Sequence, residues 1–354
     1  MPLAIPYGVV TCLRRWFYRI GVLRSVRLAP CTISVGSIVV GGTGKSVVTM
    51  KLAKLLQSRG MRVAILTRGY GSELRRDQWQ LLLGGAPAGG DLNVVPADEA
   101  RMQSVGLASV PVVVGARRSA AWMAARSARA DLLGAIDVII LDDGMQHLGV
   151  SRDIDVMPVS SLRPLGSGRL LPTGDLREGL SALSDVDFFL ELRAAADSTI
   201  GESGLSKEGE AASQKLATLT TRTGADVIVG SLTASSVIAA PHCPGARWSD
   251  HKDNVVAVAG IAHPERFVSS LERMGIAPSR VMTPGDHKRM SLELLEKQCA
   301  GAAALITTAK DYWRQPDVFA KLPMPTFILE LDLNLTPEAQ DKFLARVRNF
   351  HRTV

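Results

Sequence analysis

Short apolar runs alternate with longer stretches of helical periodicity along most of this chain, and this alternation limits its fold more than any other feature. Runs rich in Val, Ile and Leu lie at 62–66, 137–141 and 304–307, and helical patterns lie at 45–59 and 337–350. Unbroken apolar strands separated by helices are typical of parallel sheets that are covered on both faces. The pattern therefore predicts an α/β fold with a parallel sheet and helices on both faces.

Residues 194–223 interrupt the alternation. This stretch is rich in Ala, Ser, Gly, Glu and Lys and has little apolar periodicity, which is typical of a linker or an inserted surface segment. A chain of 354 residues is long enough for about two domains. We therefore expect a first domain at 31–193, a second, smaller α/β domain at 224–354, and a separate N-terminal segment at 1–30.

A glycine-rich turn joins a predicted strand to a predicted helix and ends in Gly44, Lys45 and Ser46. Such glycines let backbone amides face phosphate oxygens, and Lys45 would reach the β- and γ-phosphates while Ser46 ligates Mg²⁺. The strict pattern has glycine where this chain has Val39, and the alternative is a turn that merely begins a helix. The sequence predicts a P-loop NTPase-like domain whose nucleotide contacts come from Val39, Val40, Gly41, Gly42, Thr43, Gly44, Lys45 and Ser46.

Two pairs of carboxylates are candidates for metal binding and proton transfer. Asp142 and Asp143 follow the apolar run 139–141, at the strand end where ligands of parallel sheets bind. Asp98 and Glu99 precede a possible helical turn, and one of them would act as general base while the other lies near the metal. The alternatives are a polar strand end with an Asp-Gly turn for the first pair, and an N-cap with an acidic first turn for the second.

Three further segments carry side chains that suit phosphate chemistry. His147 follows the Asp142 pair, His287 lies in the run 284–287, and Arg177 with Glu178 ends the loop 168–178. An arginine in that loop would bind phosphate. Judged from the residues alone, each of these positions is more typical of a solvated loop than of a catalyst.

The N-terminal segment has the pattern of an amphipathic helix. Residues 1–13 carry no charge but are too short, and too interrupted by Pro and Gly, to span a bilayer. From residue 9 to residue 20 a helix would place Val, Leu, Trp, Phe and Ile on one arc and Arg14, Arg15 and Arg19 on the other. The pattern fits a helix in the membrane interface and fits equally a helix that packs on the protein's own core.

The charge distribution indicates an anionic partner. Eleven basic residues and no acidic residue precede Glu73, although the whole chain carries a formal charge of only +7. A basic N-terminal block fits phosphates or an anionic membrane surface. Nucleic acid is not expected, because the sequence has no basic stripe interleaved with aromatic residues. The four cysteines have no paired spacing, so no disulfide framework is expected, and no obligate protein partner is indicated.

Taken together, these motifs resemble those of the tetraacyldisaccharide 4′-kinases, also called lipid A 4′-kinases. The order of the motifs matches the family over nearly the whole chain outside 194–223. The resemblance is carried by Gly41–Ser46, Thr67-Arg68-Gly69-Tyr70-Gly71, Asp98-Glu99, Asp142-Asp143-Gly144-Met145-Gln146-His147, Gly168–Glu178, Pro264-Glu265-Arg266-Phe267, Asp286-His287 and Lys310-Asp311.

The resemblance implies a reaction, a substrate and a location. The reaction is transfer of the γ-phosphoryl group of ATP, with Mg²⁺, to the 4′-hydroxyl of an acylated glucosamine disaccharide 1-phosphate. The location is the cytoplasmic face of the bacterial inner membrane, with the protein held there peripherally or monotopically on an anionic surface. An interfacial helix and a basic N-terminal block suit such a lipid substrate.

The resemblance also implies roles for individual residues. Lys45 would neutralise the transferring phosphates, and Asp98 would accept the proton of the sugar hydroxyl with help from His287. Metal binding falls to Ser46, Glu99 and Asp142, and support of the site falls to Asp143, Arg177 and Glu178.

Two other functions stay open at the level of the sequence. A P-loop NTPase of another kind, such as a nucleotide-driven metal-delivery factor, would need a Cys/His cluster, which the motifs do not contain. A membrane-bound protein that holds nucleotide without catalysis would tolerate the loss of Asp98 or His287.

Overall fold

The structure is a computed structural model that describes residues 4–194, 207–285 and 288–351. The chain forms two compact units. The larger unit comprises the chain up to Pro96, then Gln103–Leu232, and the chain from Leu333 onward; the smaller unit comprises Ala97–Met102 and Thr233–Asp332.

The strands, numbered along the chain, are β1 (Cys31–Val35), β2 (Val63–Thr67), β3 (Gln80–Leu83), β4 (Ala86–Gly90), β5 (Val112–Val114), β6 (Val138–Asp142), β7 (Ile154–Ser160), β8 (Phe188–Ala194), β9 (Asp226–Ala239), β10 (Val255–Val258), β11 (Arg280–Met282), β12 (Ala304–Thr308) and β13 (Thr326–Leu335).

The helices are α1 (Ala4–Arg19), α2 (Lys45–Gln57), α3 (Asp98–Gly106), α4 (Arg118–Ala128), α5 (Ala130–Leu133), α6 (Lys207–Thr223), α7 (Pro264–Arg273), α8 (Leu292–Cys299), α9 (Ala309–Arg314), α10 (Pro316–Phe319) and α11 (Pro337–His351).

The sheet of the larger unit has the strand order β9-β8-β7-β1-β6-β2-β5-β3-β4. Strands β9 to β5 in this order pair in parallel, and β3 pairs antiparallel with both β5 and β4. Strand β1 lies between β6 and β7, and Val35 at its end is in register with Asp142 at the end of β6. The carboxyl ends of β1 and β6 therefore meet at one edge of the sheet, where ligands of such folds bind.

Helices cover both faces of this sheet. Ile139 and Leu141 of β6 are fully buried in one apolar cluster with Trp122 of α4. The alternating residues Val138 and Ile140 are buried as well, so they face the other side, where α2 contacts β1, β2 and β6. Burial of each such side chain contributes about 1.5–3 kcal/mol to folding, which explains the unbroken apolar runs of the sequence.

The smaller unit repeats this design with a parallel run of strands in the order β11-β10-β12-β13. Strand β10 is buried on both faces. Val256 packs in one cluster with Trp313 of α9, while Val255 packs in a second cluster with Phe267 of α7. The expected second α/β domain therefore has its own core.

The boundaries of the two units differ from the single break that we expected at 194–223. Helix α11 belongs to the larger unit, where Phe343 is fully buried and packs edge-on against Phe188 at 6.1 Å. Residues 97–102 belong to the smaller unit, where Arg101 stacks over Trp313 at 4.9 Å. Both exceptions arise from contacts between residues far apart in sequence.

The expected linker is in part a helix. Residues 207–223 form α6, and its Leu216 and Leu219 are buried in a cluster with Phe189 of β8. Residues 195–206 lie outside the described residues. In the part of α6 whose side chains are described, 214–223, only Leu216 and Leu219 are buried, and this low apolar content concealed the helix.

Helix α1 forms over most of the segment for which helical periodicity was noted. No helix in the described part of the chain combines the length and the apolar character needed to span a membrane. The apolar arc of α1 faces outward: Val10 is 63% exposed and Trp16 is 51% exposed. Arg15, on the opposite arc, is only 7% exposed. The helix thus packs on the larger unit through its polar side.

Candidate active site

The segment before the glycine-rich turn pairs with a second segment of chain. The Val40 amide donates to the Asp175 carbonyl at 2.8 Å, and the Arg177 amide donates to the Ile38 carbonyl at 2.6 Å. Val39, between these bonds, forms a bridge with Leu176 and is 8% exposed. A valine at position 39 is therefore part of a short ladder rather than of the turn, and the ladder brings Arg177 to the turn.

The turn itself has the backbone of a phosphate loop. Gly41 and Gly44 have φ values of 109° and 75°, which side chains rarely adopt. Gly44 stands at the N-cap of α2 and, as a glycine, offers no side chain to cap the amides of the first helical turn. Those amides and the positive end of the helix dipole form an anion site. The Lys45 ammonium lies 3.4 Å from Thr43 Oγ1, beside this site.

Asp143 joins the lysine to an arginine. Its Oδ1 lies 3.7 Å from Lys45 Nζ, and its Oδ2 accepts a hydrogen bond of 2.7 Å from Arg177 Nη1. Burial opposes the charged form, but Lys45 and Arg177 outweigh that effect and hold the pKa of Asp143 below its usual range. Among the described residues no donor hydrogen-bonds Asp143 Oδ1. The structure thus brings together three residues that the sequence motifs place far apart.

Asp142 is fixed behind this group. It is 2% exposed, and its carboxylate accepts hydrogen bonds from Thr49 Oγ1 at 3.1 Å and from Gln103 Nε2 at 2.6 Å. Ser46 is half-buried in the first turn of α2. In the described part of the chain, no three His, Cys, Asp or Glu side chains form a metal-binding group. A hard cation here would share its coordination among a carboxylate, a hydroxyl, phosphate oxygens and water.

The sequence analysis did not find Arg118. This residue begins α4 and is 3% exposed, and its two terminal nitrogens donate to the carbonyls of Asp142 at 2.6 Å and Asp143 at 3.1 Å. Burial lowers the pKa of Arg118 to about 10, so it stays charged at neutral pH. It fixes the backbone that presents both carboxylates. The available signal was an Arg-Arg pair just after the strand β5.

Asp98 and Glu99 begin α3, in the part of that helix that belongs to the smaller unit. Asp98 Oδ1 accepts a hydrogen bond of 2.9 Å from the Glu99 amide, and its Oδ2 lies 3.9 Å from Arg314 Nε. Glu99 pairs with Lys310 at 3.4 Å. Both carboxylates thus face cations of α9. Of these two cations, only Lys310 belongs to a motif noted in the sequence. The histidine expected to assist them, His287, lies outside the described residues.

Glu178 is buried and pairs with Arg15 of α1. Its neighbour Arg177 contacts Asp143. The two adjacent residues therefore have different partners: Arg177 lies in the charged group around Lys45, whereas Glu178 secures the N-terminal helix.

A basic cavity of about 700 Å³ lies in the larger unit. Arginines on three segments line it, together with Tyr18 of α1 and His147. Burial and the nearby arginines lower the pKa of His147 to about 3, so the imidazole is neutral at physiological pH. The field in this cavity therefore comes from guanidinium groups, and it favours an anion. The lining arginines are Arg68, Arg76 and Arg117.

Comparison with known proteins decides the family. The model of the family described as tetraacyldisaccharide-1-P 4′-kinase (LpxK) matches residues 1–349. The chain belongs to this family. The tetraacyldisaccharide 4′-kinase of Shewanella loihica is 34% identical over 348 residues, which cover 98% of this chain and 90% of that protein. The tetraacyldisaccharide 4′-kinase of Shewanella sp. strain ANA-3 is 32% identical over 349 residues, 99% of this chain and 91% of that protein.

The fold agrees with this assignment. A crystal structure of LpxK from Aquifex aeolicus in complex with ATP superimposes with a TM-score of 0.71 at 23% identity, covering 99% of this chain and 97% of that chain. The likeness confirms the predicted α/β architecture. Family membership confirms that the chain is an ATP-dependent kinase of lipid A biosynthesis, and it favours neither alternative raised by the sequence.

Proposed function

We propose that the group around Lys45 transfers the γ-phosphoryl group of ATP to the 4′-hydroxyl of tetraacyldisaccharide 1-phosphate. The observation that carries this proposal is the contact of Asp143 with both Lys45 and Arg177 at the end of the phosphate loop. Phosphoryl transfer is catalysed mainly by positioning and by charge stabilisation. Two cations held by one ordered carboxylate provide both at the site where the triphosphate would bind.

The nucleotide contacts follow from the loop geometry. The uncapped amides at the start of α2 would hold the phosphates, and Lys45 would neutralise charge on the γ-phosphoryl group. Mg²⁺ would be held by Ser46 and Asp142, directly or through water, with Glu99 as a further ligand. When bound, the ion would supply positive charge that offsets the negative charge of the phosphates. Asp143 Oδ1, which lacks a hydrogen-bond donor in the described structure, suits a water of that ion.

The acceptor hydroxyl needs a base. Asp98 would accept its proton, because a carboxylate within hydrogen-bond reach of the hydroxyl removes the proton as the bond to phosphorus forms. Arg314 Nε lies 3.9 Å from Asp98 Oδ2, so a positive charge faces this carboxylate. His287 would assist this step, as the family motif implies. Arg177 would stabilise charge on the transferring group. Glu178, the next residue, would support Arg177 through the backbone that the two residues share.

The product of the reaction provides a direct test. Protein incubated with Mg²⁺-ATP and the disaccharide 1-phosphate should yield a lipid with a second phosphate monoester in its ³¹P NMR spectrum, coupled to the proton at carbon 4′. Inorganic phosphate together with unchanged lipid, or a phosphate at another carbon, would contradict the proposal.

The basic cavity is the proposed site for the phosphate already present on the substrate. Its guanidinium groups match a phosphate monoester, and Tyr18 ties the cavity to α1. A lipid headgroup bound there would lie beside the helix whose apolar arc faces outward.

Replacing Arg117 with alanine tests this site. Loss of one charge-assisted contact of about 1.5–3 kcal/mol should raise the KM for the 1-phosphorylated substrate by about tenfold or more. The KM for a disaccharide without the 1-phosphate should not change. Arg126→Ala, which removes an exposed arginine from α4, the helix whose N-cap position is Arg117, is the matched control. Equal KM values for Arg117→Ala and this control would remove the cavity from the substrate site.

We propose that α1 holds the enzyme on the anionic cytoplasmic face of the inner membrane. Its outward side chains form a contiguous apolar arc with aromatic residues, and basic residues flank it. This composition suits a helix lying in the membrane interface. The exposed arc consists of Ile5, Val9, Val10, Leu13, Trp16, Phe17 and Ile20.

Glutamate at two positions of the arc should release the protein from membranes. Trp16→Glu with Phe17→Glu is expected to lower partitioning onto anionic vesicles by about 100-fold, since it removes two exposed aromatic groups that would enter the membrane interface and adds two negative charges. The control, Met123→Glu with Leu162→Glu, adds the same two negative charges at exposed apolar residues elsewhere on the larger unit. Co-sedimentation with vesicles measures both variants, and unchanged binding of the Trp16 and Phe17 variant would show that α1 is not the anchor.

A further inference from the structure

Helix α1 lies against the loop that carries Arg177. The Tyr7 hydroxyl donates a hydrogen bond of 2.7 Å to the Arg177 carbonyl. At Gly8 the helix backbone approaches so closely that a Cβ would lie 2.8 Å from Leu170 Cδ1. The first two turns of α1 are therefore packed onto the loop 168–178, and one of their hydrogen bonds ends on a residue of the charged group around Lys45.

Arg15 extends this contact to a second catalytic segment. Its guanidinium pairs with Glu178 and Asp185, and its Nη2 lies 3.4 Å from the Met145 carbonyl. Met145 is two residues beyond Asp143, and Glu178 adjoins Arg177. One buried side chain of α1 thus touches both segments whose side chains meet in the Asp143–Arg177 ion pair.

The charges around Arg15 make this arrangement specific. The guanidinium is 7% exposed and Glu178 is 4% exposed, so neither is screened by water. Burial opposes the charged form of Arg15, but the two carboxylates overcome this and raise its pKa above the usual value. The two terminal nitrogens of the planar guanidinium reach Asp185 on one side and Glu178 with the Met145 carbonyl on the other, which the single nitrogen of an ammonium group does not do. Arg19, one turn later, pairs with Asp185 but is itself exposed.

We propose that Arg15 is a positioning residue for phosphoryl transfer, which holds the segments 143–145 and 177–178 in the alignment that Lys45 requires. The inference rests on the proposed function of that group. The same helix exposes its apolar arc on the opposite side, so Arg15 links the membrane-facing element to the catalytic group. Arg15 itself touches no reacting atom.

The test compares two arginines of one helix. Arg15→Gln and Arg19→Gln each remove one positive charge from α1, and both remove a partner of Asp185. Arg15→Gln is expected to lower kcat by about tenfold to 100-fold with the KM for ATP within about twofold, because ground-state binding by the loop amides is retained. Arg19→Gln should keep the kcat of the wild type. Binding to anionic vesicles should fall no more for Arg15→Gln than for Arg19→Gln, because Arg15 is buried and Arg19 is exposed.

Rescue by a conservative change separates positioning from mere folding. Arg15→Lys keeps the charge and should recover folding stability in a thermal melt, yet it should retain a reduced kcat, because one nitrogen cannot replace both Nη1, which pairs with Asp185, and Nη2, which meets Glu178 and the Met145 carbonyl. Tyr7→Phe removes only the hydroxyl that donates to the Arg177 carbonyl, and it should lower kcat several-fold in a folded protein. Wild-type kcat in both Arg15→Lys and Tyr7→Phe would overturn the inference.

Failure of this inference differs from failure of the proposed function. If the proposed function is wrong, the wild-type protein transfers no phosphate to the lipid. If only the inference is wrong, the wild type is active and Arg15→Gln has the same kcat as Arg19→Gln.

Discussion

Alanine in place of Lys45 should lower kcat for lipid phosphorylation by about 10³-fold or more. The ammonium group lies at the start of α2, 3.4 Å from Thr43 Oγ1, and under the proposed function it neutralises the transferring phosphates. Arg177 does not substitute for it, because its guanidinium is bound to Asp143. Steady-state kinetics at saturating ATP and lipid measure the effect.

The control for this variant is Lys54→Ala, which removes an exposed lysine from the last turn of the same helix. It should leave kcat within about twofold of the wild-type value. Similar losses in both variants would mean that the effect arises from helix charge rather than from contact with phosphate.

Asparagine in place of Asp98 is expected to slow transfer by about 10²–10⁴-fold while ATP affinity stays nearly unchanged. The change keeps the shape of the side chain but removes the base that would accept the sugar hydroxyl proton. Asp98 Oδ2 lies 3.9 Å from Arg314 Nε. Asp98→Asn therefore also removes the negative charge that faces this arginine. Rapid-quench kinetics give the rate of transfer, and equilibrium titration with a fluorescent ATP analogue gives the affinity.

Asp317→Asn serves as the control, since Asp317 is an exposed carboxylate on α10 of the same unit. It should transfer phosphate at the wild-type rate. A wild-type rate in Asp98→Asn itself would eliminate Asp98 as the base, and a loss of ATP affinity would assign it to nucleotide binding instead.

Much of the fold follows from local sequence because its strands are buried on both faces. The apolar run 137–141 predicts β6 within one residue at each end, and 304–307 predicts β12 equally well. The hairpin of β3 and β4 was not predicted. Strand β4 is made of Ala, Pro and Gly, which are poor strand formers. It is held in the sheet by its pairing with β3, which in turn pairs with β5.

The candidate site shows the same division. The sequence predicts a phosphate loop because the chemistry of its six residues is local, and it predicts a site at the two carboxylates that end β6 or follow it because strand ends mark ligand crevices; the roles of these residues stay predictions. Arg118 and Arg15 were not predicted as parts of the site. Each acts through carbonyls and carboxylates distant in sequence, and an arginine on a polar helix face looks identical whether it meets water or a buried glutamate.

Transfer of label from γ-labelled ATP tests the central claim most directly. Wild-type protein should move the label to the lipid disaccharide in a one-to-one ratio with ADP formed, and Lys45→Ala should move essentially none. Label released as inorganic phosphate with unlabelled lipid, or full transfer by Lys45→Ala, would contradict a kinase built around Lys45, Asp143 and Arg177.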